Sequence, residues 1–324
     1  MKTRALVLGI NGQDGIFLSR LLLSKSITVF GIGRQQSRNP LLSSDVKYSC
    51  IDICDTSSVA ELIRRHQISQ VYNLAGISSV AYSFKNVDET YEVNYHAVIR
   101  LLNDLKRELD QGLRFYQASS SEMFGETDTN PQDENSLFNP VSPYADSKVG
   151  VHLYARNLRD SGYFVCSGIL FNHESIYRPE TFVTRKISSG MARISLGLQE
   201  KIQLGNLVAE RDWGFAGDYM NAVFLMLNSS KADEFIVATG LKHSIKDIVE
   251  LSKRALGMET PLEKILELDS ALTRPKDVRC LIGNSEKCRS ILGWKPTKTF
   301  EEMITEMARH DYETLSNGYH KSNS

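Results

Sequence analysis

The chain has 324 residues, 41% hydrophobic and 24% charged, with Lys+Arg 38 against Asp+Glu 39 and a formal charge of -1. That composition suits a compact soluble enzyme of one large or two modest domains. With no long basic stripe it speaks against nucleic acid or an anionic membrane as a partner, and no apolar segment approaches the length of a bilayer span.

In chain order, Arg4-Ala-Leu-Val-Leu8 reads as a short buried strand, Gly9-Ile-Asn-Gly12-Gln-Asp-Gly15 as a turn, and residues 16–23 as an apolar helix. The apolar stretch near Met1 is too short for a signal peptide and ends at Asn11 to Asp14. Glycines between a strand and a helix let the backbone approach a pyrophosphate, whose charge the free N–H groups at the helix start favour. Gly9, Asn11, Gly12, Gln13, Asp14 and Gly15 are therefore candidate dinucleotide contacts, with a ligand-free tight turn as the alternative. No Asp or Glu occurs between Asp14 and Asp45, where an NAD site usually places an acid, and strand 27–32 runs into Gly33-Arg34. Arg34 can pair with a 2′-phosphate, which favours NADP; an ordinary solvated arginine is the other reading.

Strand 48–52, helix 57–66, strand 70–74, one long helix over 88–109 and strand 113–118 continue the alternation. The last strand ends at a serine cluster, Ser119 to Glu122, where an open parallel sheet places its active-site groups. A helix starting near Ser142 carries Tyr144 and Lys148, four apart and so on one face. There an ammonium can stabilise a phenolate, and a tyrosine of lowered pKa can take the proton of an alcohol as its carbon gives up hydride. Ser120 and Glu122 add a hydroxyl and a separate carboxylate base, which a simple dehydrogenase does not need. The plainer alternatives are a helix-start acid for Glu122 and a half-buried core aromatic for Tyr144.

Strand 164–170 follows, and beyond Phe171 the pattern loosens. Helix 183–198, the short segment 201–205, helix 218–227 and strand 234–238 precede an amphipathic C-terminal half, with a polar, frayed tail over 317–324. The whole predicts an α/β fold: a doubly wound parallel sheet of the Rossmann type with a smaller, mixed C-terminal substrate-binding lobe. Residues 1–170, with 214–241 returning to them, form the cofactor domain; 171–213 and 242–324 form the second lobe. Cys50, Cys54, Cys166, Cys280 and Cys288 read as reduced thiols of a cytoplasmic protein, and no zinc-type ligand set accompanies Cys50 and Cys54.

The serine cluster, the Tyr-x-x-x-Lys pair and the glycine turn resemble the extended short-chain dehydrogenase/reductase superfamily. Within it the chain is most similar to the GDP-mannose 4,6-dehydratases, over nearly its whole length. The similarity is carried by Gly9-Ile-Asn-Gly-Gln-Asp-Gly15, Phe115-Tyr-Gln-Ala-Ser-Ser-Ser-Glu-Met-Phe-Gly125, Leu170-Phe-Asn-His-Glu-Ser175, Phe182-Val-Thr-Arg-Lys-Ile187, Arg211-Asp-Trp-Gly214, Val237-Ala-Thr-Gly240 and Leu292-Gly-Trp-Lys-Pro296. The resemblance implies that Tyr144 deprotonates the sugar 4-hydroxyl while hydride leaves C4 for NADP. Ser120 would bond the same oxygen, Lys148 would hold the nicotinamide ribose, and Glu122 would remove the C5 hydrogen as water departs from C6. It further implies cofactor contacts from Asp52 and Ile53, from Leu74, Ala75, Gly76 and Ser78, and from His173 and Arg178. For the GDP-linked sugar it implies Ser79, Asn172, Lys186, Arg211 and Arg274. Singly, each has a plainer role: Asp52 capping a turn, His173 a satisfied core histidine, Lys186 and Arg211 surface charges.

The chain departs from the family at Gln35-Gln-Ser-Arg-Asn-Pro40, where a second arginine and a longer loop normally reach a neighbouring subunit, so a homo-oligomer is expected as either dimer or tetramer. Ser79 and Tyr177, in Ile176-Tyr177-Arg178-Pro179, are expected to reshape the hexose pocket and leave a related GDP-sugar such as a heptose open. A sugar-nucleotide 4-reductase or epimerase would share the cofactor site but has no use for Glu122, and an NADP-sensing protein would have no need of any of the four reactive side chains.

Overall fold

A computed structural model describes residues 3–127, 131–269, 272, 278 and 280–322. Strand β1 (Arg4–Leu8) alternates between two apolar layers, Ala5 and Val7 facing one, Leu6 and Leu8 the other. It is followed by α1 (Gln13–Ser24), β2 (Thr28–Gly33), β3 (Lys47–Cys50), α2 (Thr56–Arg65) and β4 (Gln70–Asn73). Asp55 caps α2 by accepting from the Ser58 amide at 3.1 Å.

The helix expected over 88–109 is broken, and another helix precedes it. The chain forms α3 (Val80–Lys85), α4 (Val87–Tyr91), a π turn over Glu92–His96, α5 (Ala97–Asp104) and α6 (Lys106–Asp110). A π turn inserts one residue and so shifts the buried face by roughly 100°. Here it puts Asn94 inside, where its side chain bonds both the amide of Ile77, at 2.8 Å, and its carbonyl, at 3.0 Å.

Next come β5 (Arg114–Ser120), α7 (Pro143–Asp160) and β6 (Val165–Leu170). Ser142 caps α7, its hydroxyl accepting from Ala145 N at 3.1 Å, and Pro143 takes the first helical position, where no amide is missed. Then follow β7 (Asn172–Glu174), α8 (Val183–Ser195), β8 (Ile202–Leu204), β9 (Glu210–Phe215), α9 (Ala216–Leu227) and β10 (Glu234–Val237). Seven strands make one sheet in the order β10-β6-β5-β4-β1-β2-β3, every neighbouring pair parallel. Helices α1 and α9 cover one face and α2, α5 and α7 the other, so the sheet is doubly wound as expected.

The rest of the chain is β11 (Lys242–Ser244), α10 (Ile245–Ala255), α11 (Leu262–Ile265), β12 (Leu266–Leu268), β13 (Cys280–Leu281), α12 (Glu286–Leu292) and α13 (Phe300–Ser322). β9 organises a small mixed sheet, antiparallel to β11 and parallel to β13 and β7. A third apolar cluster joins Ile187 and Met191 of α8, Trp213 of β9, Ile248 of α10 and Met303, Ile304 and Met307 of α13. Arg185 donates to Asp311 at 2.8 Å and Ser188 to the same carboxylate at 2.6 Å, tying α8 to α13. The backbone of α13 is helical to Ser322, whereas a frayed tail was expected from residue 317. Among the described residues no helix is long and apolar enough to cross a membrane, and all five cysteines are free.

Candidate active site

A cleft of about 720 Å³ opens at the carboxyl ends of β1, β2, β4 and β5, with α8 and β9 on its far side. Gly9, Asn11, Gly12, Gln13, Asp14, Gly15, Arg34, Asp52, Ile53, Leu74, Ala75, Gly76, Ser78 and Ser79 line its length. Ser120, Glu122, Tyr144, Lys148, Asn172, His173, Arg178, Lys186 and Arg211 line it too. Arg274 lies outside the described residues.

The glycine turn is built for close approach. Gly9 has φ 77, and a Cβ there would stand 2.8 Å from the Ala75 Cα; one at Gly15 would stand 2.3 Å from the Ile10 carbonyl oxygen. Gly15→Ala is therefore expected to lower stability by about 1–3 kcal/mol, through backbone that cannot yield as a side chain can. A thermal midpoint equal to that of the parent would show that the turn relaxes freely. Asn11 fastens the turn to the next loop, donating to Gln35 Oε1 at 2.9 Å and accepting from the Asn39 amide at 2.9 Å.

Several residues expected at the ligand also have partners of their own. His173 pairs with Asp14 at 3.0 Å, engages the Phe171 carbonyl at 2.7 Å and stacks on Tyr219. Burial is the largest influence on the Asp14 carboxyl and pushes it up, but the charge and hydrogen bond of His173, with Arg178 and Gln13, together leave the group below its ordinary value; burial pulls His173 down, and the charge and hydrogen bond of Asp14, with the Phe171 carbonyl, raise it net. Asp52 accepts from the Cys54 amide at 2.9 Å, capping a turn, and Ser79 caps α3 by accepting from Tyr82 N at 3.2 Å. Arg178 lies 3.6 Å over the Phe182 ring with Glu174 at 3.1 Å. Tyr177 packs on Phe17 and accepts from Arg20 at 2.9 Å, so its ring and hydroxyl both have partners on α1.

Of the serines that end β5, Ser119 turns inward to His152 at 2.8 Å, and Ser120 faces Tyr144. The Ser120 hydroxyl also accepts from the Glu122 amide at 3.3 Å, fixing the turn that projects Glu122 into the cleft. Tyr144 is pushed up to about 12, by burial first and by the Glu122 charge, while the Ser120 hydrogen bond pulls it down. Lys148 donates to the Ala118 carbonyl at 2.9 Å, stands 6.0 Å from the Tyr144 ring centre and is pushed down to about 8 by burial. Burial thus outweighs whatever the neighbouring ammonium contributes, and the phenol stands above its ordinary value rather than below it as the spacing predicts.

A lysine near 8 loses its charge as pH rises through that value, and with it any support for a phenolate. kcat/KM is expected to fall on the alkaline side near pH 8; a profile flat up to the ordinary lysine value of 10.5 would contradict a role for the charge.

Asn94 was not read from the sequence. Besides holding Ile77 it donates to Ser147 Oγ at 3.3 Å, so it links the loop after β4 to the helix of Tyr144 and Lys148. Its one signal is a polar residue on an otherwise apolar helical stripe.

A family model described as GDP-mannose 4,6 dehydratase matches residues 6–307. The chain is 41% identical over 326 residues to GDP-mannose 4,6 dehydratase 2 of Arabidopsis thaliana, covering 95% of this chain and 87% of that one. It is 37% identical to a GDP-mannose 4,6-dehydratase of Vibrio cholerae, over 96% and 94% of the two chains. Among solved structures, the UDP-glucose 4-epimerase of Thermotoga maritima superposes with a TM-score of 0.86 at 20% identity, over 97% of this chain and 100% of that one, a likeness of fold.

Proposed function

The chain belongs to the GDP-mannose 4,6-dehydratase family, and on that premise we propose that it removes water from GDP-mannose to give GDP-4-keto-6-deoxy-mannose. The observation that carries the reading is the placement of Glu122 beside Ser120 and Tyr144 in one cleft, a carboxylate within electrostatic reach of the phenol. A nicotinamide cofactor held by the glycine turn and Lys148 would supply the hydride chemistry, accepting hydride from C4 and giving it back to C6.

Tyr144 takes the proton of the 4-hydroxyl, with Ser120 donating to the same oxygen as charge builds on it. Once C4 is a ketone the C5 hydrogen is acidic, and Glu122 removes it. The two protons gathered by Tyr144 and Glu122 match the two needed, one by the hydroxyl leaving C6 as water and one by C5 as it is restored, and because the hydride lost at C4 is regained at C6 the reaction is redox-neutral. Lys148 would hold a nicotinamide ribose, a role that its hydrogen bond to Ala118 O and its nearness to Gly76 support. Asn172, Lys186 and Arg211, on the second-lobe side, suit a sugar diphosphate.

The close-packed glycine turn fits a dinucleotide, and Arg34 at the cleft supports NADP over NAD. We take 1–170 with 214–241 as the cofactor domain and 171–213 with 242–324 as the substrate lobe, in a homo-oligomer. Incubation with GDP-mannose and NADP tests the reading: a 4-keto product one water lighter, with no net NADPH, is expected. Recovery of a 4-epimer or of unchanged GDP-mannose would overturn it.

A further inference from the structure

Arg34 is not alone at the cleft mouth. Its Nη1 lies 3.7 Å from Oε1 of Glu89 on α4. Arg34 follows β2 and Glu89 lies beyond β4, and β1 runs between those two strands. The pair therefore reaches across the end of β1, where the glycine turn begins. The second oxygen of Glu89 is not free to wander, because the Tyr82 hydroxyl of α3 donates to Oε2 at 2.6 Å.

The two side chains are 64% and 43% exposed, and a solvated pair at this separation contributes little. A phosphate monoester offers Arg34 charge-assisted, bidentate bonds and displaces Glu89 from it. The displaced carboxylate remains tethered by Tyr82 within a few ångströms of the new dianion, where like charges repel. A ribose 2′-hydroxyl, by contrast, can donate to the same carboxylate and leave Arg34 on Glu89. Arg34 and Glu89 thus pull in opposite directions on one atom of the cofactor.

We infer that Glu89, held by Tyr82 against Arg34, is a specificity-determining residue that works against the 2′-phosphate and tempers the selectivity of the cleft for NADP(H) over NAD(H). This rests on the reading of the cleft as a nicotinamide dinucleotide site. It also supplies the acid missing between Asp14 and Asp45, from a helix distant in sequence.

Binding without turnover tests it. NADPH and NADH are titrated by nicotinamide fluorescence into the full-length protein, the Glu89→Gln variant and the Tyr82→Phe variant. Glu89→Gln is expected to raise the preference for NADPH about threefold to tenfold, and Tyr82→Phe to shift it less in the same direction. The gain should shrink between about 0.1 M and about 1 M salt, as the screening length falls from about 10 to about 3 Å. A parent that binds both dinucleotides but a Glu89→Gln ratio that is unchanged or lower overturns this inference alone. A parent that binds neither overturns it together with the reading beneath it.

Discussion

Glu122→Gln is expected to stop the reaction half-way. The amide keeps the size of the side chain and leaves the backbone hydrogen bond to Ser120, made by the residue 122 amide, in place. What it loses is the capacity to accept a proton from carbon. Tyr144 and Ser120 are untouched, so the 4-hydroxyl is still oxidised, and removing the negative charge that helps hold the phenol high makes that step no harder. The variant should form reduced cofactor in amounts matching the enzyme, seen as a stable absorbance change, while overall turnover falls by about 10³-fold, within the usual contribution of a general base. Normal formation of the 4-keto-6-deoxy sugar by this variant would remove Glu122 from the C5 step.

Tyr144→Phe is expected to fail earlier and differently. The ring is buried, with 8% of its surface exposed, and the loss of one oxygen leaves its packing intact. Ser120 then faces an apolar edge, and nothing at that position can take the 4-hydroxyl proton. Turnover should fall by about 10²–10⁴-fold with no accumulation of reduced cofactor. Near-normal cofactor binding in the same variant would show that the loss is chemical. The contrast between the two variants is the informative part, because a fault in folding or cofactor binding would make them look alike. If Tyr144→Phe accumulates reduced cofactor as Glu122→Gln does, the division of labour between the two residues is wrong.

The features legible in the sequence are those encoded within a few residues. Gly9 to Gly15 announce a turn because their requirement for space is local, and the structure shows the backbone at Ile10 and Ala75 filling the volume a Cβ would need. Tyr144 and Lys148 share a face because a helix repeats every 3.6 residues. The sheet followed from apolar runs separated by helices, each set apart by turn residues. The second lobe was harder to read: β7, β8, β11 and β13 are only two or three residues long, and they exist because β9 and β12 pair with them from elsewhere in the chain.

What spacing could not supply was direction and solvation. Tyr177 stands beside Arg178 in sequence, yet it turns to Phe17 and Arg20 while Arg178 turns into the cleft. Asn94 lies in a stretch whose apolar positions predict one continuous helix, and only the contact with Ile77 shows why the chain widens there. The spacing of Tyr144 and Lys148 also suggested an acidic phenol. It holds no information on burial, which raises the tyrosine and lowers the lysine. Arg34 looked unopposed because its counter-charge, Glu89, comes from beyond β4.

The central claim is that one carboxylate and one phenol act on adjacent carbons of the same hexose. Turning over GDP-mannose in deuterated water, followed by mass spectrometry and proton resonance of the product, reads this directly. The account predicts a 4-keto-6-deoxy sugar with solvent deuterium at C5 and with the original C4 hydrogen carried to C6. A product that has lost no water, or one formed without solvent hydrogen at C5, would contradict it.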